Sequence, residues 1–149
     1  MPRSYTKLTY HCTFSTKNRV ASLYDAMRPR LHAYIARLTN EEFGFAREIG
    51  GTDDHVHILC DLRPTCAVAS YMGKIKSRST GWIHREFARL GDFHWQETYA
   101  GFTVSASVVP SVKAYIENQE RHHKKMSFGQ ELRALLKKHG IEFEERYLF

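Results

Sequence analysis

Leu8, Tyr10, Cys12 and Phe14 alternate with Thr9, His11, Thr13 and Ser15. Only a β-strand sorts such a run into one apolar and one polar face, so the sequence predicts a half-buried strand over residues 8–15. The same period returns at 55–62. There Val56, Ile58 and Cys60 share one side, and His55, His57, Leu59 and Asp61 share the other. Elsewhere the period lengthens. Tyr24, Met27, Leu31, Ile35 and Leu38 recur at three and four residues, which predicts an amphipathic helix to about Thr39. Pro29 must lie in its first turns, because in a helix interior proline costs about 3 kcal/mol.

The remaining segments follow the same logic. Residues 43–49 suit a second strand, and Gly50-Gly51-Thr52-Asp53-Asp54 a turn into the third. Pro64-Thr65 stops that strand, with Thr65 placed to cap a helix. The helix carries Val68, Met72, Ile75, Ser79, Trp82, Ile83 and Leu90 as its stripe, and Gly81 is a point where it can break. Residues 102–107 read as a fourth strand, and 109–125 as one long helix with Pro110 in its first turn. Ser127 and Gln130 fit a capping box that opens a last helix, ending at Gly140. The order β-α-β-β-α-β-α predicts an α+β domain with helices packed on an antiparallel sheet. At 149 residues the expectation is a single domain over 1–149.

Composition narrows the classes. No apolar run approaches the roughly 18 residues of a membrane span, and the start is polar, so neither a membrane segment nor a signal peptide is expected. Cys12, Cys60 and Cys66 form no CxxC pair, which suits free thiols in a reducing, cytoplasmic compartment. Lys plus Arg number 22 against 16 Asp plus Glu, and the resulting charge of +6 permits a nucleic-acid partner without requiring one.

His55-Val56-His57 is the first chemical feature. On a strand, residues i and i+2 point to the same side, so two imidazoles can grip one cation. Two hydrogen-bonded histidines on a strand face would look the same. A metal needs a third ligand. Tyr115 and Gln119 are four apart and stack on one helical face. Gln119 can offer its amide oxygen, and Tyr115 can aim its hydroxyl at whatever the metal polarises. Val112, Tyr115, Ile116 and Gln119 equally form a core-like stripe. A nucleotide hydrolase with HxHxH is excluded because the third position is Leu59, and a structural zinc site because Cys60 and Cys66 are poorly spaced. His122 and His123 are adjacent, about 100° apart on a helix. With Lys124 and Lys125 they read as a basic cluster for phosphates, or as cations favoured by a helix end.

Taken in order, Asp54-His55-Val56-His57-Ile58-Leu59, the helical Lys76-Ser77-Arg78-Ser79, Trp95-Gln96, Tyr99-Ala100-Gly101-Phe102-Thr103-Val104-Ser105 and Tyr115 through His123 resemble the tyrosine-HUH transposases of small insertion sequences. REP-associated tyrosine transposases belong to the same superfamily. The resemblance runs over nearly the whole chain. It implies a ferredoxin-like antiparallel sheet with helices packed on it and the HUH motif on a central strand. It implies that His55, His57 and Gln119 hold a divalent metal, Mg²⁺ or Mn²⁺, and that Tyr115 is the nucleophile. The metal would bind a scissile-phosphate oxygen, and Tyr115 would leave a 5′-phosphotyrosine and a free 3′-OH, with no nucleotide cofactor. The partners implied are single-stranded DNA carrying hairpins and a second copy of the chain in a homodimer. The expected place is the cytoplasm, at the nucleoid when bound to DNA. Family members often have Pro where this chain has Asp53, which is expected to alter the turn and not the ligands. Two His and one amide would make a neutral ligand set.

Lys17, Arg19, Lys74, Lys76, Arg78, His122, Lys124 and Lys125 are the candidate DNA contacts, with Arg85 beside them. Trp95 and Tyr99, in a loop-like stretch, are better candidates to stack unpaired bases than Trp82, which lies on a helical stripe. The competing class is a non-catalytic hairpin- or repeat-binding protein of the same descent, which would not need all four of His55, His57, Tyr115 and Gln119.

Overall fold

The computed structural model describes residues 4–149. Its elements are β1 (Thr9–Ser15), α1 (Arg28–Glu42), β2 (Gly44–Gly51), β3 (His55–Leu62), α2 (Val68–Glu86), β4 (Ala100–Thr103), α3 (Val109–Glu117), α4 (Gln119–His122) and α5 (Phe128–Lys138). All strand pairs are antiparallel and the order is β2-β3-β1-β4, a ferredoxin-like sheet. The two histidines therefore lie on a central strand, with Thr13 opposite His57 and Ser15 opposite His55 on β1.

The period-two pattern decides what each face meets. Cys12, Phe14, Val56, Ile58 and Cys60 pack with Leu31, Ile35, Tyr71, Met72 and Ile75, so α1 and α2 cover that side. On the other side Phe102 packs with Phe128, Leu132, Leu136 and Leu148, beneath α5 and the C-terminal segment. This second layer corrects the expectation of a half-buried first strand. His11, Thr13 and Ser15 on the polar face are also buried. Buried polar groups need partners, and they have them. Thr13 Oγ1 donates to the Val56 carbonyl at 2.8 Å, Ser15 N donates to Gln96 Oε1 at 2.6 Å, and His11 meets His57.

Other boundaries shift for physical reasons. α1 starts at Arg28 with Pro29 in its first turn, so Tyr24 lies in the turn before it. Gly50 and Gly51 pair with His57 and Val56, so β2 extends and the predicted turn shrinks. α2 runs unbroken past Gly81 to Glu86. Its N-cap is Ala67, not Thr65, and Leu90 falls in a separate 3-10 turn, Ala88–Leu90. β4 ends at Thr103 rather than 107; one more backbone bond follows, Val104 N donating to the Thr9 carbonyl at 2.9 Å, and there β1 begins. The predicted helix over 109–125 is divided at Asn118, whose backbone (φ −98°, ψ 19°) leaves helical geometry between α3 and α4. The capping box is present as expected: Ser127 Oγ accepts from Gln130 N, and Gln130 Oε1 accepts from Ser127 N. Gly140 takes φ +68° just past the end of α5, a conformation glycine adopts without strain. Among the described residues no helix is long and apolar enough to cross a membrane.

Candidate active site

β3 directs His55 and His57 to the face covered by α3, α4 and α5, with ring centroids 5.1 Å apart. Each ring is held from behind. His55 Nδ1 lies 2.8 Å from Asp54 Oδ1 and 3.1 Å from Thr52 Oγ1. His57 Nδ1 lies 2.7 Å from Nε2 of His11, one strand away. Both Nε2 atoms consequently point at the same region, the arrangement in which outer partners orient metal-binding imidazoles. The turn that carries Asp53 is pinned by Leu23 N donating to the Asp53 carbonyl at 2.9 Å.

α3 and α4 supply the opposite wall. Gly50 makes this possible: a Cβ there would lie 2.4 Å from the Ile116 carbonyl oxygen, so only a bare backbone lets α3 settle on β2. Gln119, buried, brings Oε1 to 2.8 Å from His55 Nε2. Tyr115 lies edge-on to His57, ring centroids 5.9 Å apart. The sheet and helices of one chain thus bring together all four residues that the sequence singled out for catalysis and metal binding.

At their centre is a residue that sequence reasoning missed. Glu131 of α5 is 1% exposed. Its Oε1 lies 2.9 Å from His57 Nε2, 3.0 Å from His123 Nε2 and 3.5 Å from His55 Nε2. Its Oε2 accepts from Gln119 Nε2 at 3.0 Å and from the Tyr115 hydroxyl. Burial alone would raise the carboxyl pKa, but hydrogen bonds from His123 and His57 outweigh it and hold the group ionised, well below the usual carboxylate range. The neutral ligand set expected from sequence therefore has an anion inside it. His123 shifts upward, because the Glu131 carboxylate outweighs burial. Burial pushes His57 down to about 4 and His11 to about 3. Burial and then the Glu131 charge raise the Tyr115 phenol, which stays protonated.

The helix ends at His122, with His123 as its C-cap, so the adjacent rings escape the 100° rule. Both flank Glu131, His122 Nε2 at 3.5 Å from Oε2. His123 accordingly belongs to the site and not to a phosphate-binding cluster. Ligand atoms of His55, His57, His123 and Glu131 all lie within 4.8 Å of one another. Two or three imidazole nitrogens and a carboxylate oxygen make a donor set that fits a divalent ion.

One sequence signal marks Glu131 as unusual, though not its partners: it is a charge on the otherwise apolar stripe Phe128, Leu132, Leu136. His11 carries no such signal, because its strand face reads as polar.

The basic candidates are not gathered at this centre. Lys74, Lys76 and Arg78 are on α2, across the sheet. Lys76 Nζ donates to the carbonyls of Glu97 and Thr98 at 3.0 and 3.1 Å, and Arg78 pairs with Glu42. Lys17 and Arg19 are exposed on the 3-10 turn Lys17–Arg19, and Arg19 lies over the Phe149 ring. Lys124 and Lys125 are exposed beyond α4. Trp95 is buried between Phe14 and Phe93, with Nε1 donating to Ser79 Oγ at 2.9 Å. It is core, which leaves Tyr99, 38% exposed, as the stacking candidate.

Comparison with known proteins bears on family and fold. The chain is 27% identical over 81 residues to the transposases for insertion sequence element IS200 of Salmonella typhimurium and Salmonella typhi. That match covers 54% of this chain and 53% of each relative, so the chain spans about half the length of the curated relatives it matches. A crystal structure from Deinococcus radiodurans R1, described as that of a candidate transposase, superposes with TM-score 0.65 at 26% identity, over 80% of this chain and 96% of that one. A REP-associated tyrosine transposase bound to a REP hairpin shares the fold, with TM-score 0.61 at 18% identity, over 83% of this chain and 73% of its own. The family model of IS200-like transposases matches residues 4–119, which include His55, His57, Tyr115 and Gln119, and the chain belongs to that family.

Proposed function

We propose that this chain is a metal-dependent DNA transposase that binds end hairpins and cuts and rejoins single-stranded DNA through a 5′-phosphotyrosine on Tyr115. The observation that carries this reading is the convergence of Tyr115, Gln119, His55 and His57 on one buried point.

His55 and His57, with Gln119 across from them, would hold Mg²⁺ or Mn²⁺, which supplies electrophilic stabilisation to a scissile phosphate. The residues do the rest. Tyr115 is held by its hydroxyl on Glu131 Oε2, the acceptor that faces the phenol proton. Attack of the phenol oxygen on phosphorus forms a P–O bond to tyrosine and breaks the P–O3′ bond; the phenol gives up its proton and the departing O3′ takes one up, leaving a 3′-OH. The phosphotyrosine keeps the phosphodiester energy, so another 3′-OH can reverse the step on a new strand without ATP. The hairpin partner is suggested by the REP complex that shares the fold. Lys17, Arg19, Lys124 and Lys125 are exposed and would be free to meet phosphates, whereas His122 turns Nε2 toward Glu131.

Incubation of the protein with labelled hairpin-flanked single strands and Mn²⁺ or Mg²⁺ should give a covalent adduct that Tyr115→Phe abolishes. Absence of an adduct from wild-type protein, with hairpin binding indifferent to metal and to Tyr115→Phe, would replace this reading with the non-catalytic binder.

A further inference from the structure

We infer that Glu131 on α5 is an anionic protein ligand of the divalent ion, so that a carboxylate joins His55, His57 and Gln119 in the donor set. The inference rests on the metal-dependent reading above, but not on strand cleavage.

Burial sets the first constraint. An ionised carboxylate out of water costs several kcal/mol unless cations or strong donors surround it. Glu131 is 1% exposed on a helix face otherwise made of Phe128, Leu132 and Leu136. A helix that needed only to pack would carry a hydrocarbon there.

Distances set the second. Metal–nitrogen and metal–oxygen bonds of about 2.0–2.2 Å put neighbouring ligand atoms roughly 3.0–3.5 Å apart in octahedral or tetrahedral sites. Glu131 Oε1 stands 2.9 Å from His57 Nε2 and 3.5 Å from His55 Nε2. Those are ligand-to-ligand separations already, between atoms that all face inward.

The two carboxylate oxygens divide the work. Oε1 faces the imidazoles of His55, His57 and His123, while Oε2 takes Tyr115 and Gln119. Gln119 uses both ends of its amide, Oε1 toward His55 and Nε2 toward Glu131. It completes the network around the carboxylate. One side chain thereby joins the ion to the nucleophile, and the last helix becomes part of the metal site.

The test is calorimetric titration of Mn²⁺ into the full, metal-stripped chain without DNA, with circular dichroism in EDTA confirming the fold of each variant. Glu131→Gln should weaken Mn²⁺ at least tenfold. Glu131→Asp, which keeps the charge on a shorter arm, should recover part of the loss and serves as the second variant if Glu131→Gln does not fold. Glu131→Gln binding within twofold of wild type would overturn the assignment, leaving Glu131 as the counter-ion of His123. Wild-type protein that binds no Mn²⁺ would overturn it too. Failure of the cleavage reading is separate: wild-type protein that binds Mn²⁺ yet forms no Tyr115 adduct.

Discussion

Three histidines, His11 and His57 buried and His32 partly so, give the folded state an acid limit. Burial holds His57 and His32 at about 4 and His11 at about 3, against 6.5 for the free side chain. Between those values and 6.5 the unfolded chain binds more protons, so stability falls as pH drops, by about 1.4 kcal/mol per pH unit for each fully engaged group. Glu131 adds to this further down, because its depressed pKa gives stability present above about 4.5 and lost as pH falls through the folded value. His123 opposes them, since its raised pKa gives stability present below 6.5 and lost as pH rises through the folded value. Three groups outweigh one. In EDTA the urea midpoint should fall between pH 7 and pH 5. His32→Leu, which removes a buried Nε2 without a hydrogen-bond partner, should lose less over that interval. A flat wild-type profile would contradict the assignment. At this scale the sequence was readable where chemistry and period coincide: His55 and His57 two apart on a strand, Tyr115 and Gln119 four apart on a helix. It was unreadable where the partner is remote. Glu131 is 74 positions from His57, and His11 is 46. Periodicity tells which face a residue takes, but not what arrives on it from another element.

Elements carry the site through contacts that leave little room. α3 reaches the histidines only because Gly50 lacks a side chain, and the obstructing atom is backbone, which cannot turn aside. Gly50→Ala should tilt α3 away, costing about 1–3 kcal/mol. Adduct formation should fall further, by about 10²-fold, since small misplacements of reacting groups are that costly. Urea melts and single-turnover cleavage would separate the two effects, and equal losses in both would show that α3 does not need this approach. α5 depends on its start. Ser127→Ala removes the acceptor for Gln130 N and should cost about 1 kcal/mol, read as a lower urea midpoint. Strand and helix identities were legible because their periods differ. The break at Asn118 was not, because a short turn between α3 and α4 preserves the apolar stripe that a continuous helix would show.

The whole molecule raises the question of whose tyrosine serves whose histidines. The sheet has β2 and β4 at its edges, and exposed edges invite a second copy; we propose a symmetric homodimer, which light scattering at micromolar concentration would contradict by finding a monomer. Within one chain, however, Tyr115 already bonds to Glu131 beside His57, and Gln119 to His55. Each subunit should therefore cut with its own nucleophile. Complementation tests this directly. Tyr115→Phe lacks the nucleophile, and a His55→Ala, His57→Ala protein lacks the metal ligands. If tyrosines act within their own chain, co-expressed dimers of the two have no complete site and form no adduct. If tyrosines are exchanged between subunits, each mixed dimer has one complete site, and the adduct appears on the histidine-deficient chain. A wild-type subunit co-expressed with either variant supplies the control that mixed dimers form and that one intact site suffices for detection. The expected result is no adduct from the variant pair and a normal one from the control. An adduct on the histidine-deficient chain would mean that α3 leaves its own Glu131 to work across the interface.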